Sequence, residues 1–340
     1  MKVINNIRKN AFIILLITIA VMYFILKDDF NNIVNILFTV DLKYILLAIV
    51  IFFLSLFFKA YISYKTVNDK KKYSLLEAFK HNIIVQFFNG VTPFSTGGQP
   101  MEIYMLTKHK ISSSKSTMII LQNFIFYQIA LVLFGLGAVI YNSIYNIFPK
   151  VPILKRLVLI GFLINTLVAV VIILVSISKK VTKSFIRLII NILSKLKIIK
   201  NKEKTTKRWD DRLEEFHECA TYLRENKKLF ILGILFNIIS LACVYITPLF
   251  IVNSMKDFSS LNVGITITSS AYVLLIGAFV PIPGGSGGIE YGFLAFFGNF
   301  LSKSRLSAVL LIWRFITYYM PMIIGAIAFN LDEREKKLWE

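Results

Sequence analysis

Residues 279–290 read FVPIPGGSGGIE. Two prolines, four glycines and a glutamate stand here between long apolar runs, where a regular membrane helix has no use for them. An earlier stretch, TPFSTGGQPME at residues 92–102, has the same character. Pro93 and Glu102 are nine residues apart, as are Pro281 and Glu290. Irregular backbone survives at membrane depth only where it is buried in protein or lines a wet cavity. Two such breaks therefore predict the tips of two re-entrant hairpins. The alternative is that glycine and proline here only permit kinks or close helix packing.

The rest of the chain supplies the solvent for that reading. Hydrophobic residues make up 56% of the 340, phenylalanine alone occurs 30 times, and mean hydropathy is +0.68. One globular core cannot hide so much apolar surface, so the chain reads as an integral membrane protein. The net charge of +20 concentrates between the apolar runs, where it suits anionic lipid headgroups and cytoplasmic loops better than nucleic acid. No nucleic-acid partner is expected. Cys219 and Cys243 form no CxxC pair, the histidines lie apart at 81, 109 and 217, and no metal site or cofactor is indicated. The basic start (Lys2, Arg8, Lys9) precedes an apolar run to Leu26 without a small-residue cleavage site, which reads as an uncleaved first membrane helix.

A crossing helix needs about 20 mainly apolar residues. Six segments meet this: roughly 3–26, 43–64, 116–141, 157–178, 229–252 and 305–330. Regions 75–107 and 262–302 are apolar but broken by the two Gly/Pro stretches. Lysine- and arginine-rich loops should face the cytoplasm. The N-terminus, the Lys70–Lys72 loop, segment 179–228 and the Lys336-Lys337 tail can all do so if both broken regions return to the side they entered from. Helix 43–64, hairpin and helix 116–141 then recur in opposite orientation as helix 229–252, hairpin and helix 305–330. The expected fold is an all-α polytopic membrane protein with about six full spans and two re-entrant hairpins in an inverted repeat. It forms a single membrane domain over 1–340. That domain divides into a first half (1–178), a basic amphipathic cytoplasmic segment (179–228), a second half (229–330) and a short cytoplasmic tail (331–340). Broken helices in inverted repeats are a device of secondary transporters.

Segment 179–228 carries 15 Lys/Arg against 7 Asp/Glu. Phe185, Leu188, Ile192, Leu196 and Ile199 fall on one helical face, and Trp209, Leu213, Phe216, Ala220 and Leu223 follow a heptad-like spacing. Both parts read as amphipathic helices, either lying on the inner leaflet or packed on the membrane domain.

Ionisable residues within membrane segments are costly and point to function. Glu102, Glu290 and Arg314 stand out. Each glutamate follows a Gly-rich break where a new helix could begin, so each could cap a first turn or contact a cationic headgroup, a coupling proton or Arg314. Arg314, in LLIWRFITYYMP, could grip a lipid phosphate or pair with Glu290 or Glu102. Backbone N–H groups of Gly97, Gly98, Gly284, Gly285, Gly287 and Gly288 offer further anion donors. Gln99 and Ser286, with Asn89, Thr92, Ser95, Thr96 and Asn123, could line the same cavity, and Pro93, Pro281 and Pro283 are the helix breaks. No GxSxG, HExxH or GK[ST] motif is present, so no catalytic residue is assigned.

TPFSTGGQPMEIYML, PIPGGSGGIEYGFL and WRFITYYMPMIIGAI together resemble the flippase-like membrane domain of the lysylphosphatidylglycerol synthase family, over residues 5–330. The resemblance implies a plasma-membrane lipid flippase of bacterial type that moves an aminoacylated phospholipid such as lysyl-phosphatidylglycerol between leaflets and supports resistance to cationic peptides. Lysyl transfer to phosphatidylglycerol belongs, in that family, to a soluble domain. The sequence ending at Glu340 leaves no room for one, so lysyltransferase activity is an alternative, as is transport of a glycolipid or polyprenyl-linked lipid. Expected partners are an anionic or aminoacylated phospholipid, with a separate synthase or a homo-oligomer as further candidates.

Overall fold

The structure is a computed structural model. It describes residues 30–67, 73–149, 152–177, 201–277, 280 and 282–337, with helical positions 183–184, 186–188, 190–191 and 194. The expected span at 3–26, Pro281, and the stripe residues Phe185, Ile192, Leu196 and Ile199 lie outside the described residues. Side chains of Leu213 and Phe216 do too.

Among the described residues every regular element is helical. In chain order these are α1 (Phe30–Phe38), α2 (Leu42–Val67), α3 (Leu75–Gly90), a one-turn first tip (Pro93–Ser95), α4 (Gly98–Lys108), α5 (Ser113–Tyr145), α6 (Pro152–Ile177), α7 (Lys202–Glu225), α8 (Lys227–Ser254), α9 (Val263–Gly277), a one-turn second tip (Pro283–Gly285), α10 (Gly288–Phe297), α11 (Lys303–Arg314) and α12 (Met320–Lys337). Local chemistry sets several starts. Ser74 and Glu77 form a reciprocal capping box at α3, Ser112 caps α5, and the Asn262 side chain accepts from the Ile265 N–H at α9. Leu42–Val67, Ser113–Tyr145, Lys227–Ser254 and Lys303–Asp332 are each long and apolar enough to cross a membrane. Leu46, Val50, Leu54 and Phe57 of α2 are exposed at helical spacing, a surface that belongs in lipid rather than water.

The two central helices, α2 and α8, pack antiparallel. The Asp41 N–H donates to Ser254 O (2.8 Å), the Ser240 hydroxyl to Ser55 O (2.9 Å), and Phe236 packs on Phe58 and Tyr61. The α2 C-terminus and the α8 C-terminus thus lie on opposite faces of the molecule, and each leads into one hairpin. Hairpin 1 (α3, first tip, α4) returns to its own face: Tyr73, Ala78, Leu106 and Ile111 share one cluster with Val67 and Ile119. Hairpin 2 (α9, second tip, α10) does likewise, closed by Asp257 Oδ2 and Arg305 Nη1 at 2.8 Å and by Leu261, Phe297 and Leu301. The two tips touch each other, α3 packs on α12, and α9 packs on α5. Each incoming arm thus leans on the closing helix of the other repeat unit, the reciprocity an inverted repeat requires.

The end of α12 joins the base of hairpin 1, where Asp332 meets Lys80 at 2.8 Å and Lys108 at 3.8 Å. Helix α7 lies against the same side of α5: Cys219 and Leu223 are buried with Ile62, Ile125 and Phe126, while Trp209 stays exposed. The second amphipathic part therefore packs on the membrane domain, with Cys219 rather than Trp209 in the seam.

Candidate functional site

Each hairpin tip opens on proline and closes by starting a new helix on glycine. Pro93 and Pro283, Phe94 and Gly284, Ser95 and Gly285, and Gly97 and Gly287 correspond at a constant separation of 190 residues (283 minus 93). Backbone φ agrees with that register: 52° and 54° at Phe94 and Ser95, against 65° and 62° at Gly284 and Gly285. The caps of the incoming arms, Ser74 and Asn262, are 188 residues apart, so hairpin 2 has two more residues before its tip. The equal nine-residue spacings in the sequence pair the wrong prolines. In the structural register Glu290 corresponds to Pro100, not to Glu102. The first tip also holds two side-chain-bearing residues in the left-handed region, each at a cost of about 1–3 kcal/mol. Phe94 is 59% exposed there.

Glu290 occupies the first turn of α10 and caps it, its Oε2 accepting the Gly287 N–H at 2.6 Å. Its other oxygen meets Arg314 Nη2 at 2.6 Å, with each side chain only 6% exposed. Arg314 Nη2 also faces Gly284 O (3.2 Å) and Ser286 Oγ (3.4 Å), so arginine and glutamate together staple the second tip. All of these contacts use Nη2. The buried Nε has no acceptor among the described residues. Below the guanidinium, its carbon 4.5 Å from the ring centroid, lies Tyr318, whose hydroxyl donates to Gly90 O at 2.9 Å. Tyr318 thereby ties Arg314 to the end of α3. It belongs to a π-helical turn, Phe315–Tyr319, that separates α11 from α12. Such turns insert one residue and recur at functional sites. Gly284 is required twice here, by its positive φ and because a Cβ would run into the Tyr318 ring.

The first tip is built differently. The Gly97 N–H donates to Thr92 Oγ1 (2.8 Å) and the Gly98 N–H to Asn89 Oδ1 (3.0 Å). Gly285 gives its N–H to Ile282 O, and Gly287 to Glu290. Four of the six glycine amides expected as anion donors are therefore spent inside the hairpins; only Gly284 and Gly288 have no acceptor among the described residues. Gln99 and Pro93 are exposed at the tip, Pro283 is half-buried, and Ser286 is buried beside Arg314.

Glu102 is the second departure. It lies past the first turn of α4 and away from Arg314, hydrogen-bonded to Asn123 of α5. Asn123 in turn donates to Ser63 Oγ at 3.1 Å and faces Thr66 Oγ1 at 3.4 Å. The glutamates thus serve different neighbourhoods because an identical offset from a proline does not give an identical helical position. Tyr318 and Gly90 carry no local signal, since their roles come from a contact across the two repeats. Histidines distant in sequence also meet: the His81 and His109 rings are 5.1 Å apart, with His81 Nδ1 3.0 Å from Tyr73 Oη and His109 Nδ1 3.4 Å from Glu77.

Opposed hairpins within an all-α, multi-pass membrane protein meet beside a buried ion pair, Arg314–Glu290. The chain belongs to the family described as the lysylphosphatidylglycerol synthase TM region, whose model matches residues 11–325. A relative from Mycoplasma pneumoniae, described as an uncharacterized protein MG306 homolog, is 22% identical over 270 residues. That match covers 72% of this chain and 66%, just under two thirds, of the relative.

Proposed function

We propose that the protein is a lipid flippase of the bacterial plasma membrane that moves an anionic or aminoacylated phospholipid, such as lysyl-phosphatidylglycerol, between leaflets. The reading rests on one observation: a buried Arg314–Glu290 pair, its Nε without an acceptor among the described residues, sits where two hairpins from opposite faces meet. The headgroup passes the tips while the acyl chains stay in lipid. Arg314, with Gly284 and Gly288, offers the phosphate donors, and Glu290 offers a counter-charge to a cationic substituent. Basic residues at the ends carrying Lys65, Lys80, Lys108, Lys227 and Lys228 support a cytoplasmic location for that face and for the C-terminus of α12. Family membership supports a lipid as cargo, and resistance against cationic peptides is the consequence expected of moving an aminoacylated one.

Translocation of labelled phosphatidylglycerol and lysyl-phosphatidylglycerol in proteoliposomes tests the proposal. Wild-type protein accelerates movement between leaflets, and Glu290→Gln or Arg314→Ala slows it at least tenfold. Unchanged rates in folded variants overturn the site assignment, and no movement by wild type overturns the function.

A further inference from the structure

Lys59 stands in the middle of an apolar run, LSLFFKAYIS at residues 54–63, yet no motif surrounds it. It lies eight residues before the end of α2, about 12 Å along the axis from the cytoplasmic-side terminus at 1.5 Å per residue. The charged side chain is half-buried, and its Nζ lies 5.4 Å from the Tyr127 ring centroid on α5. Other cations in the interior or at its margins have a carboxylate: Lys80 and Lys108 meet Asp332, Arg305 meets Asp257, and Arg314 meets Glu290. Among the described residues none lies within ion-pair distance of Lys59. An ammonium at this depth without a counter-charge is expensive. A cation–π contact recovers only about 0.5–2 kcal/mol.

The surroundings favour a ligand over an accident of packing. One turn toward the cytoplasmic side, α2 presents Ser63 and α5 presents Asn123, bonded to each other and to Thr66 and Glu102. Lys59 and Ser63 are four residues apart, as are Tyr127 and Asn123, so both pairs stack along one α2–α5 seam. A polar ladder thus climbs from the Thr66 level to Lys59 and ends on a charge with no carboxylate beside it among the described residues.

We propose that Lys59, with Tyr127, forms a second anion site that takes the phosphodiester of a lipid headgroup in the cytoplasmic half of the membrane. A phosphodiester supplies the single negative charge that Lys59 lacks. Its acyl chains can remain among the exposed apolar residues of α2, whereas a free hydrated phosphate dianion would have to shed its water to arrive there. The site is separate from the hairpin tips. It deepens the lipid-transport reading, but it is tested by binding and so stands or falls independently of movement.

The experiment titrates the full-length chain in detergent with dihexanoyl phosphatidylglycerol, dihexanoyl glycerol lacking the phosphate, and inorganic phosphate. Wild type binds the phospholipid and not the diacylglycerol. Lys59→Met weakens binding about tenfold or more, in line with the loss of one charge-assisted contact, and Lys59→Arg restores most of it. Lys59→Met strands no partner, so its thermal midpoint stays at or above that of wild type; Tyr127→Leu gives an independent second variant with a smaller loss. Phospholipid binding within twofold of wild type in folded Lys59→Met overturns the proposal. Inorganic phosphate binding as tightly as the phospholipid overturns the lipid assignment. Phospholipid binding lost in Lys59→Met but absent translocation by wild type refutes transport alone.

Discussion

Removing the Glu290 carboxylate gives the most direct measure of what holds the second tip. In Glu290→Ala two contacts of 2.6 Å disappear: the ion pair to Arg314 and the acceptor for the Gly287 N–H. Arg314 then keeps only Gly284 O and Ser286 Oγ, at 3.2 and 3.4 Å, in a site where it is almost wholly excluded from solvent. Stranding one member of a buried pair costs about 3–5 kcal/mol, and loss of a helix cap about 1 kcal/mol more. Glu290→Gln keeps the shape and one acceptor oxygen, so its cost should fall at the lower end of that range. Arg314→Met loses the pair and the contact with Tyr318. Combining Glu290→Gln with Arg314→Met leaves no stranded charge, so the double variant should cost less than the singles together by about 2 kcal/mol, within the coupling range for contacting residues. Equilibrium unfolding of the purified protein in mixed detergent micelles measures all four corners of this cycle. Single costs below about 1 kcal/mol, or additivity within about 0.5 kcal/mol, would refute the argument that the pair staples the tip.

Gly284→Ala and Gly287→Ala both force alanine to positive φ (65° and 87°), but only the first drives a Cβ into Tyr318, whereas Gly287 has open space around it. Gly287→Ala should therefore cost only the backbone strain, about 1–3 kcal/mol, and Gly284→Ala should cost more by a similar amount through overpacking; unfolding midpoints compare them directly. The Asp257 carboxyl, between α8 and α9, is held below its ordinary range chiefly by the Ser260 hydroxyl, with backbone N–H groups and Arg305 adding to the effect and burial opposing it. A lowered folded-state value means that its stabilisation is complete above the ordinary carboxylate range near pH 4 and is lost as pH falls through the lowered value. Amide protection at Ser259 and Ser260, taken relative to the intrinsic exchange rate at each pH, should thus hold down to about pH 4 and fall below it, and Asp257→Asn should lack that protection at every pH. Burial pushes the Cys219 thiol up to about 12, so a maleimide should leave Cys219 unlabelled in the native protein through pH 9 and modify it only after unfolding.

Much of the architecture was legible from order and composition. Apolar length identified the crossing helices, the Gly/Pro breaks identified the two hairpins, and the placement of basic loops required each hairpin to return to its own face. These features are local or additive: a proline removes a donor wherever it sits, and a 20-residue apolar run seeks lipid whatever its neighbours. The pairing of Arg314 with a glutamate was legible as one of two possibilities, the other being a lipid phosphate, but which glutamate it meets was not. Nine residues separate Pro93 from Glu102 and Pro281 from Glu290. Yet the proline that matches Pro93 is Pro283, so Glu290 lies seven residues past its tip proline (290 minus 283) and caps α10, while Glu102 lies nine past its own (102 minus 93) and falls beyond the first turn of α4. The same rule that singled out Arg314 applies to Lys59, a lone charge in an apolar run; its significance emerged only when its neighbours on α5 proved to carry no carboxylate.

The sequence by itself determined that this is an all-helical membrane protein with two broken hairpins, since hydrophobic length, proline and glycine act on the backbone at their own positions. Only the tertiary structure decided which charges meet, which glycine amides remain free and that Tyr318 bridges Arg314 to Gly90. Those contacts join residues up to 228 positions apart. They depend on helical phase and on how the two halves face each other, and a shift of two residues in one hairpin is enough to change them.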